Sequence, residues 1–283
     1  MTEILRPISA VALGFLEIIR FIGDLCYLLL DAVVGIPRSL FSKQGRRLGW
    51  ESLWEQMDRV GVRSIRIVCL VLFCIGITLA LKMAPTLKEY GAVERVPDII
   101  SIAIAPELGP LVSAIVLTGF AGASIAAELG AMVVSEEIEA LEAHAINPIR
   151  FLVVPRVIAT TVMMVCIAVI GDIAGFFGGY TMGMLGLGIS SHMYIQHSFD
   201  VLHKPEFTTG IAVAGVFRDF LTGLVKAGIF GMLISGIACR LGLSVTGGAT
   251  GVGIATTKTV VYTIVSLIIV DLICNFIIFK IGW

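Results

Sequence analysis

The stretch that decides the fold is residues 105–160, APELGPLVSAIVLTGFAGASIAAELGAMVVSEEIEALEAHAINPIRFLVVPRVIAT. It runs from an apolar segment rich in small residues into a short acidic run, then through Asn147-Pro148 into a second apolar segment. Ser135 is a good N-cap, and Glu136, Glu137 and Glu139 follow where the helix dipole favours negative charge, so the spacing predicts a short helix beginning at Ser135. Asn147-Pro148 stops it, because the residue before a proline is pushed out of the helical region. A water-exposed helix pinned between two membrane spans is what a membrane subunit needs in order to be moved by a soluble partner.

Composition agrees with that picture. Of the 283 residues, 57% are hydrophobic and only 14% charged, with a mean hydropathy of +0.99, where a soluble domain carries about 25% charged residues. Such a chain lacks the polar surface for a water-soluble fold and must sit in lipid. A net charge of -1 argues against a nucleic-acid partner. Glu3 and Arg6 precede the first apolar stretch and no small-residue cleavage site follows, so no cleavable signal peptide is expected.

Five apolar segments are long enough to cross a bilayer, which takes about 20 helical residues. They are Ile65–Ala84, Glu107–Val134, Phe151–Leu185, Gly210–Leu243 and Val260–Phe279. The earlier segment Gly14–Val34 differs: Glu17, Arg20, Asp24 and Asp31 fall within about 60° on a helical wheel. One narrow polar stripe suits a helix lying in the membrane interface; the alternative is a true span with its stripe turned toward other helices. A basic connector follows, with Arg38, Lys43, Arg46 and Arg47, then Arg59, Arg63 and Arg66. Nine of the twenty Lys and Arg residues precede Ile67, which puts the N-terminal region in the cytoplasm by the positive-inside rule. The acidic helix then falls inside, and the C-terminus outside. The fold class is therefore an all-α integral membrane protein: an N-terminal interfacial helix and connector over residues 1–48, then a five-span domain over 49–283.

Small residues recur every fourth position at Gly171, Gly175, Gly179 and Gly183, at Gly119, Ala123 and Ala127, and at Gly223, Ala227, Gly231 and Ser235. Such rows let helix backbones approach closely, within one bundle or across a dimer. Ionisable residues inside apolar stretches are functional candidates: Glu107, Glu128, Asp172, Arg218, Asp219, Lys226 and Asp271. Arg218, Asp219 and Lys226 have pairing with one another, Asp172 or Asp271 as their structural reading. Glu107 stands apart, because it opens a span beside Pro106 and Pro110, where a carboxylate often faces a cavity.

Other motifs point away from chemistry. The run GGATGVGIATTK fails as a phosphate loop, since Ile254 follows Gly253 where lysine is required; it reads as a flexible cytoplasmic hairpin. The six cysteines lie singly in apolar segments and read as buried small hydrophobes. His144, His192, His197 and His203 lack metal-ligand spacing and read as surface residues. No catalytic constellation, metal or cofactor is expected, and the chain is not read as an enzyme.

The blocks PELGP…AGASIAAELGAMVVSEEIEAL…NPIRFLVVPRVIA and KAGIFGMLISGIACRLGLSVTGGATGVGIATTKTVV, followed by Asp271, resemble the MlaE/YrbE permeases of MCE-type ABC lipid transporters. The resemblance spans residues 50 to 283. It implies a homodimer in the bacterial inner membrane, a cytoplasmic ABC ATPase beneath each subunit and a periplasmic MCE-domain substrate-binding protein. A small cytoplasmic STAS-domain protein is an optional further partner. Residues 135–146 would be the coupling helix, with Ser135, Glu136, Glu137, Ile138, Glu139, Leu141 and Glu142 at the ATPase. Glu107 falls on the family's acidic position near a lipid cavity, with Leu81 and Met83 as its expected apolar neighbours. Many relatives carry Arg at the position of Phe120, and some at Pro106, so the resemblance implies an apolar lipid more firmly than an anionic head group. The expected activity is movement of lipids, phospholipids foremost, between the inner membrane and the outer envelope. The competing reading is a proton-coupled secondary transporter working through Glu107, Asp172 and Asp271.

Overall fold

A computed structural model describes residue 20 and residues 23–30, 53–203 and 218–281, and those residues form helices joined by short turns, with no strand. A short helix, α1, covers 23–30. The five spans are α2 (Leu53–Glu89), α3 (Val93–Val134), α5 (Ile149–Leu187), α7 (Arg218–Leu243) and α8 (Gly248–Ile281). Between them lie the acidic helix α4 (Glu137–Ala143) and a further helix α6 (Ser191–His203). The rest of the expected Gly14–Val34 helix, the basic connector, the 48/49 boundary and residues 210–217 of the expected fourth span lie outside the described residues.

Spans α5 and α7 form the centre: α2 packs along α5, while α8 packs on α7 and the second half of α3. The glycine row of α5 makes the first contact possible. A Cβ on Gly76 would lie 2.0 Å from the Gly175 carbonyl oxygen, so the two backbones touch. Gly231 of α7 likewise meets the Thr161 backbone of α5. These rows are thus used inside one bundle, where close backbone packing replaces the hydrophobic drive that lipid removes. In its most apolar window α8 is 17% buried against 50% for α7, and it presents Leu272, Phe276 and Phe279 outward.

Three expectations change. The second span begins at Val93 and passes through Pro106 and Pro110 without a break, so Glu107 lies inside a helix and does not open one. A π turn at Ile104–Leu108 accommodates proline, which gives no N–H to the helical ladder and crowds the carbonyl one turn back. The glycine run is not a hairpin: a tight turn over 244–247 is followed at Gly248 by the first turns of α8, with Gly247 and Gly248 at positive φ. All six cysteines are free, but only Cys239 is buried, while Cys26, Cys74 and Cys166 are exposed. Helix faces turned to lipid are as apolar as those turned inward, so apolar context does not report burial.

Candidate functional site: a buried lysine cluster and an acidic surface helix

The π turn aims Glu107 at α7 and α8. Lys226, 2% exposed, donates to Glu107 Oε2 at 2.6 Å and to Asn275 Oδ1 at 2.6 Å. Its ammonium also lies 3.0 Å from Asp271 Oδ1, an ionic contact off the hydrogen-bond line. Asn275 Nδ2 donates to Glu107 Oε1 at 2.8 Å and to Asp271 Oδ2 at 3.3 Å. Two carboxylates therefore share one ammonium and one amide at membrane depth. Burying an ion costs several kcal/mol unless partners compensate, and here every group has one. Glu107 keeps 36% of its side chain exposed, so the cluster has one open face.

The PELGP motif can now be read atom by atom. Glu107 meets Lys226. Gly109 leaves room for Asp172 of α5, whose Oδ1 would lie 1.6 Å from a Cβ at 109. The Ala105 carbonyl and the Pro110 ring abut Gly223 of α7, where a Cβ would lie 2.1 Å from the Ala105 oxygen. Asp172 is 2% exposed and its Oδ1 has no hydrogen-bond partner among the described residues. The expected pairing of Lys226 thus falls on Asp271 and Glu107, and Asp172 stays apart. Leu81 is exposed and Met83 half-buried on α2, while the polar groups around Glu107 come from α7 and α8. Asn275 is not among the sequence candidates; its signal is a carboxamide in an apolar run four residues after Asp271, hence on the same helix face.

At the other functional end, α4 is seven residues long. Ile138 and Leu141, three apart on one face, pack on the main core. Glu136, Glu137, Glu139 and Glu142 are all exposed. Ser135 is not the N-cap. Its one hydroxyl proton is shared between the Ala131 carbonyl at 3.1 Å and Glu137 Oε1 at 2.9 Å, closing α3, while Glu136 precedes α4 in the left-handed conformation. Ala145, also left-handed at φ 58°, ends the segment. Asn147 Oδ1 accepts from the Ile149 and Arg150 amides, at 3.0 and 3.3 Å, and so caps α5.

Near this end Glu128 of α3 receives Arg156 of α5 at 3.1 Å and Arg59 of α2 at 3.0 Å, tying three spans together. Toward the opposite end, His197 is no free surface residue: its Nδ1 lies 3.1 Å from Asp98 Oδ1, and Arg95 holds the other carboxylate oxygen. There α5, α6 and the start of α7 surround an apolar cavity of 620 Å³ lined by Phe176, Phe177, Tyr180, Tyr194 and Phe220 among others. Burial pushes the Tyr194 phenol well above its usual range.

Five apolar spans, an ion cluster within them and an acidic helix seated on one end define a multi-pass membrane transport subunit. The comparisons agree: residues 53–277 match the family Permease MlaE, and the chain belongs to that family. It is 35% identical over 227 residues to a "Probable ABC transporter permease protein" of Rickettsia felis, covering 80% of this chain and 83% of that one. A similarly named protein of Synechocystis is 31% identical over 236 residues, 83% and 84% of the two chains. The "Intermembrane phospholipid transport system permease protein MlaE" of Haemophilus influenzae is 28% identical over 286 residues, 99% of this chain and 100% of that one. The chain is accordingly a transport permease and not an enzyme.

Proposed function

We propose that this chain is the membrane subunit of an ABC transporter that moves phospholipid between the bacterial inner membrane and the outer envelope, driven by a separate cytoplasmic ATPase. The observation that carries the reading is α4. Its apolar residues Ile138 and Leu141 pack on the main core and the helix rests on the end of α3, while its carboxylates face out, so a push on the acidic face is delivered to α3 and the core. The name of the Haemophilus influenzae relative supports phospholipid as the cargo. Glu136, Glu137, Glu139 and Glu142 meet the ATPase, with Ser135, Ile138 and Leu141 fixing their orientation. Glu107, with its open face, contacts the lipid. Two copies form the working unit, and an MCE-domain protein receives or delivers lipid on the periplasmic side. A STAS-domain protein is an accessory on the cytoplasmic side.

The test is reconstitution of the chain with its ATPase and MCE-domain partners in liposomes carrying labelled phospholipid. Transfer should require hydrolysable ATP. Transfer driven by a proton gradient without nucleotide would overturn the reading in favour of secondary transport.

A further inference from the structure

A second polar cavity, of 410 Å³, lies near the end that carries α4, between the start of α2 and the last third of α3. A π turn borders it on each side, Asp58–Val62 in α2 and Thr118–Gly122 in α3, and the two turns touch. A π turn inserts one residue into a helix and re-aims the side chains around it, and such turns are frequent at functional sites. Here they direct Arg59 and Phe120 to the cavity, which Gln56, Arg63, Ser124 and Glu128 also line.

The wall is unevenly satisfied. Glu128 is held by both Arg156 and Arg59, and Arg59 also pairs with Glu55 at 3.1 Å. Arg63, exposed at the rim, makes no ion pair among the described residues. Guanidinium groups therefore outnumber carboxylates around the cavity. Deeper in, Gln56 is 7% exposed, yet its Oε1 accepts no hydrogen bond among the described residues. A buried acceptor left unmet is costly, which points to a donor brought from outside. A guanidinium without an anion beside an acceptor without a donor is a wall for one kind of ligand: an anion bearing its own hydrogen-bond donor. The volume is that of a small-molecule site, and Phe120, 39% exposed, adds an aromatic face beside the polar groups. In a bilayer, the group with this chemistry is a phosphodiester head carrying an ammonium or hydroxyl.

We propose that this cavity binds the head group of a phospholipid in the leaflet on the α4 side, with Arg63 and Arg59 on the phosphate and Gln56 Oε1 accepting from the head-group ammonium or hydroxyl. The site is distinct from the Glu107 cluster and bridges the two spans whose inner ends Glu128 holds together. Binding here requires neither the ATPase nor transport, so its failure leaves the proposed function standing.

The test places a benzophenone amino acid at Phe120 in the full chain, reconstituted in phosphatidylethanolamine nanodiscs. Irradiation should give a phospholipid adduct. Arg63→Gln should lower it roughly ten-fold, the loss of a charge-assisted hydrogen bond, while Arg63→Lys keeps most of it. Gln56→Leu should reduce capture to the level seen in phosphatidylcholine nanodiscs, whose quaternary ammonium has no donor. Diacylglycerol, which has the chains without the phosphate, should not be captured. Equal capture in wild type and Arg63→Gln would overturn the proposal. So would capture abolished by excess inorganic phosphate, which would make this a free-phosphate site.

Discussion

Replacing Lys226 with methionine is the sharpest perturbation of the membrane-embedded cluster. The ammonium is 2% exposed and contacts Glu107 at 2.6 Å, Asp271 at 3.0 Å and Asn275 at 2.6 Å. Breaking a buried pair by removing one partner costs about 3–5 kcal/mol, because the remaining charge is left uncompensated. Here two carboxylates lose their shared cation at once, so the upper part of that range applies. At about 2–4 °C per kcal/mol for a chain of this size, the apparent melting temperature should fall on the order of 10 °C. Glu107→Gln is the informative contrast. It leaves the Lys226–Asp271 pair intact and keeps an oxygen that accepts from the ammonium, so it should cost about 1 kcal/mol. Adding Glu107→Gln and Asp271→Asn to Lys226→Met removes the stranded charges and should recover much of the loss. The assay is thermal unfolding of the detergent-solubilised chain followed by size exclusion. A Lys226→Met variant that melts within about 2 °C of wild type, or a Glu107→Gln variant equally damaged, would refute the reasoning.

Exchanging Glu137 and Glu139 for lysine should weaken co-purification of the ATPase and reduce lipid-stimulated hydrolysis, with membrane insertion unchanged because both side chains are exposed. Ala145→Gly relieves a left-handed alanine and should raise stability by roughly 0.5–1 kcal/mol, read as a higher melting temperature. Gly223→Ala drives a Cβ to 2.1 Å from the Ala105 carbonyl oxygen and should cost about 1–3 kcal/mol, whereas Gly119→Ala, with nothing within 4 Å of the new methyl, should leave unfolding unchanged. Equal melting of the two glycine variants would contradict the packing of α7 on the π turn.

The spans and the acidic helix are legible in sequence because each has a local signature. A run of twenty apolar residues, or a carboxylate-rich turn after Ser135, needs no tertiary information. The second span shows where local signals mislead. Pro106 and Pro110 look like a helix start, but a π turn carries the helix through them, and the chain is helical from Val93. The glycines at 247–253 look like a flexible loop, yet most of them begin α8. Lys226 and Glu107 are 119 residues apart, so their contact has no local trace beyond the cost of each charge in lipid. The same holds for Arg59, Glu128 and Arg156, of which only Glu128 stands out in the sequence. Position along the chain groups Ile138 and Leu141 with the acidic residues, and only packing separates the anchors from the exposed face.

The most direct test of the lipid pathway is a photo-crosslinking amino acid at position 107, compared with one at Ile268 on the exposed face of α8, in the complex assembled with its ATPase. The account predicts that position 107 captures co-purified phospholipid and that ATP turnover changes the yield, while Ile268 captures bulk lipid without nucleotide dependence. Glu107→Ala should impair transport more than assembly. Crosslinks from position 107 that reach only protein, together with normal transport by Glu107→Ala, would contradict it.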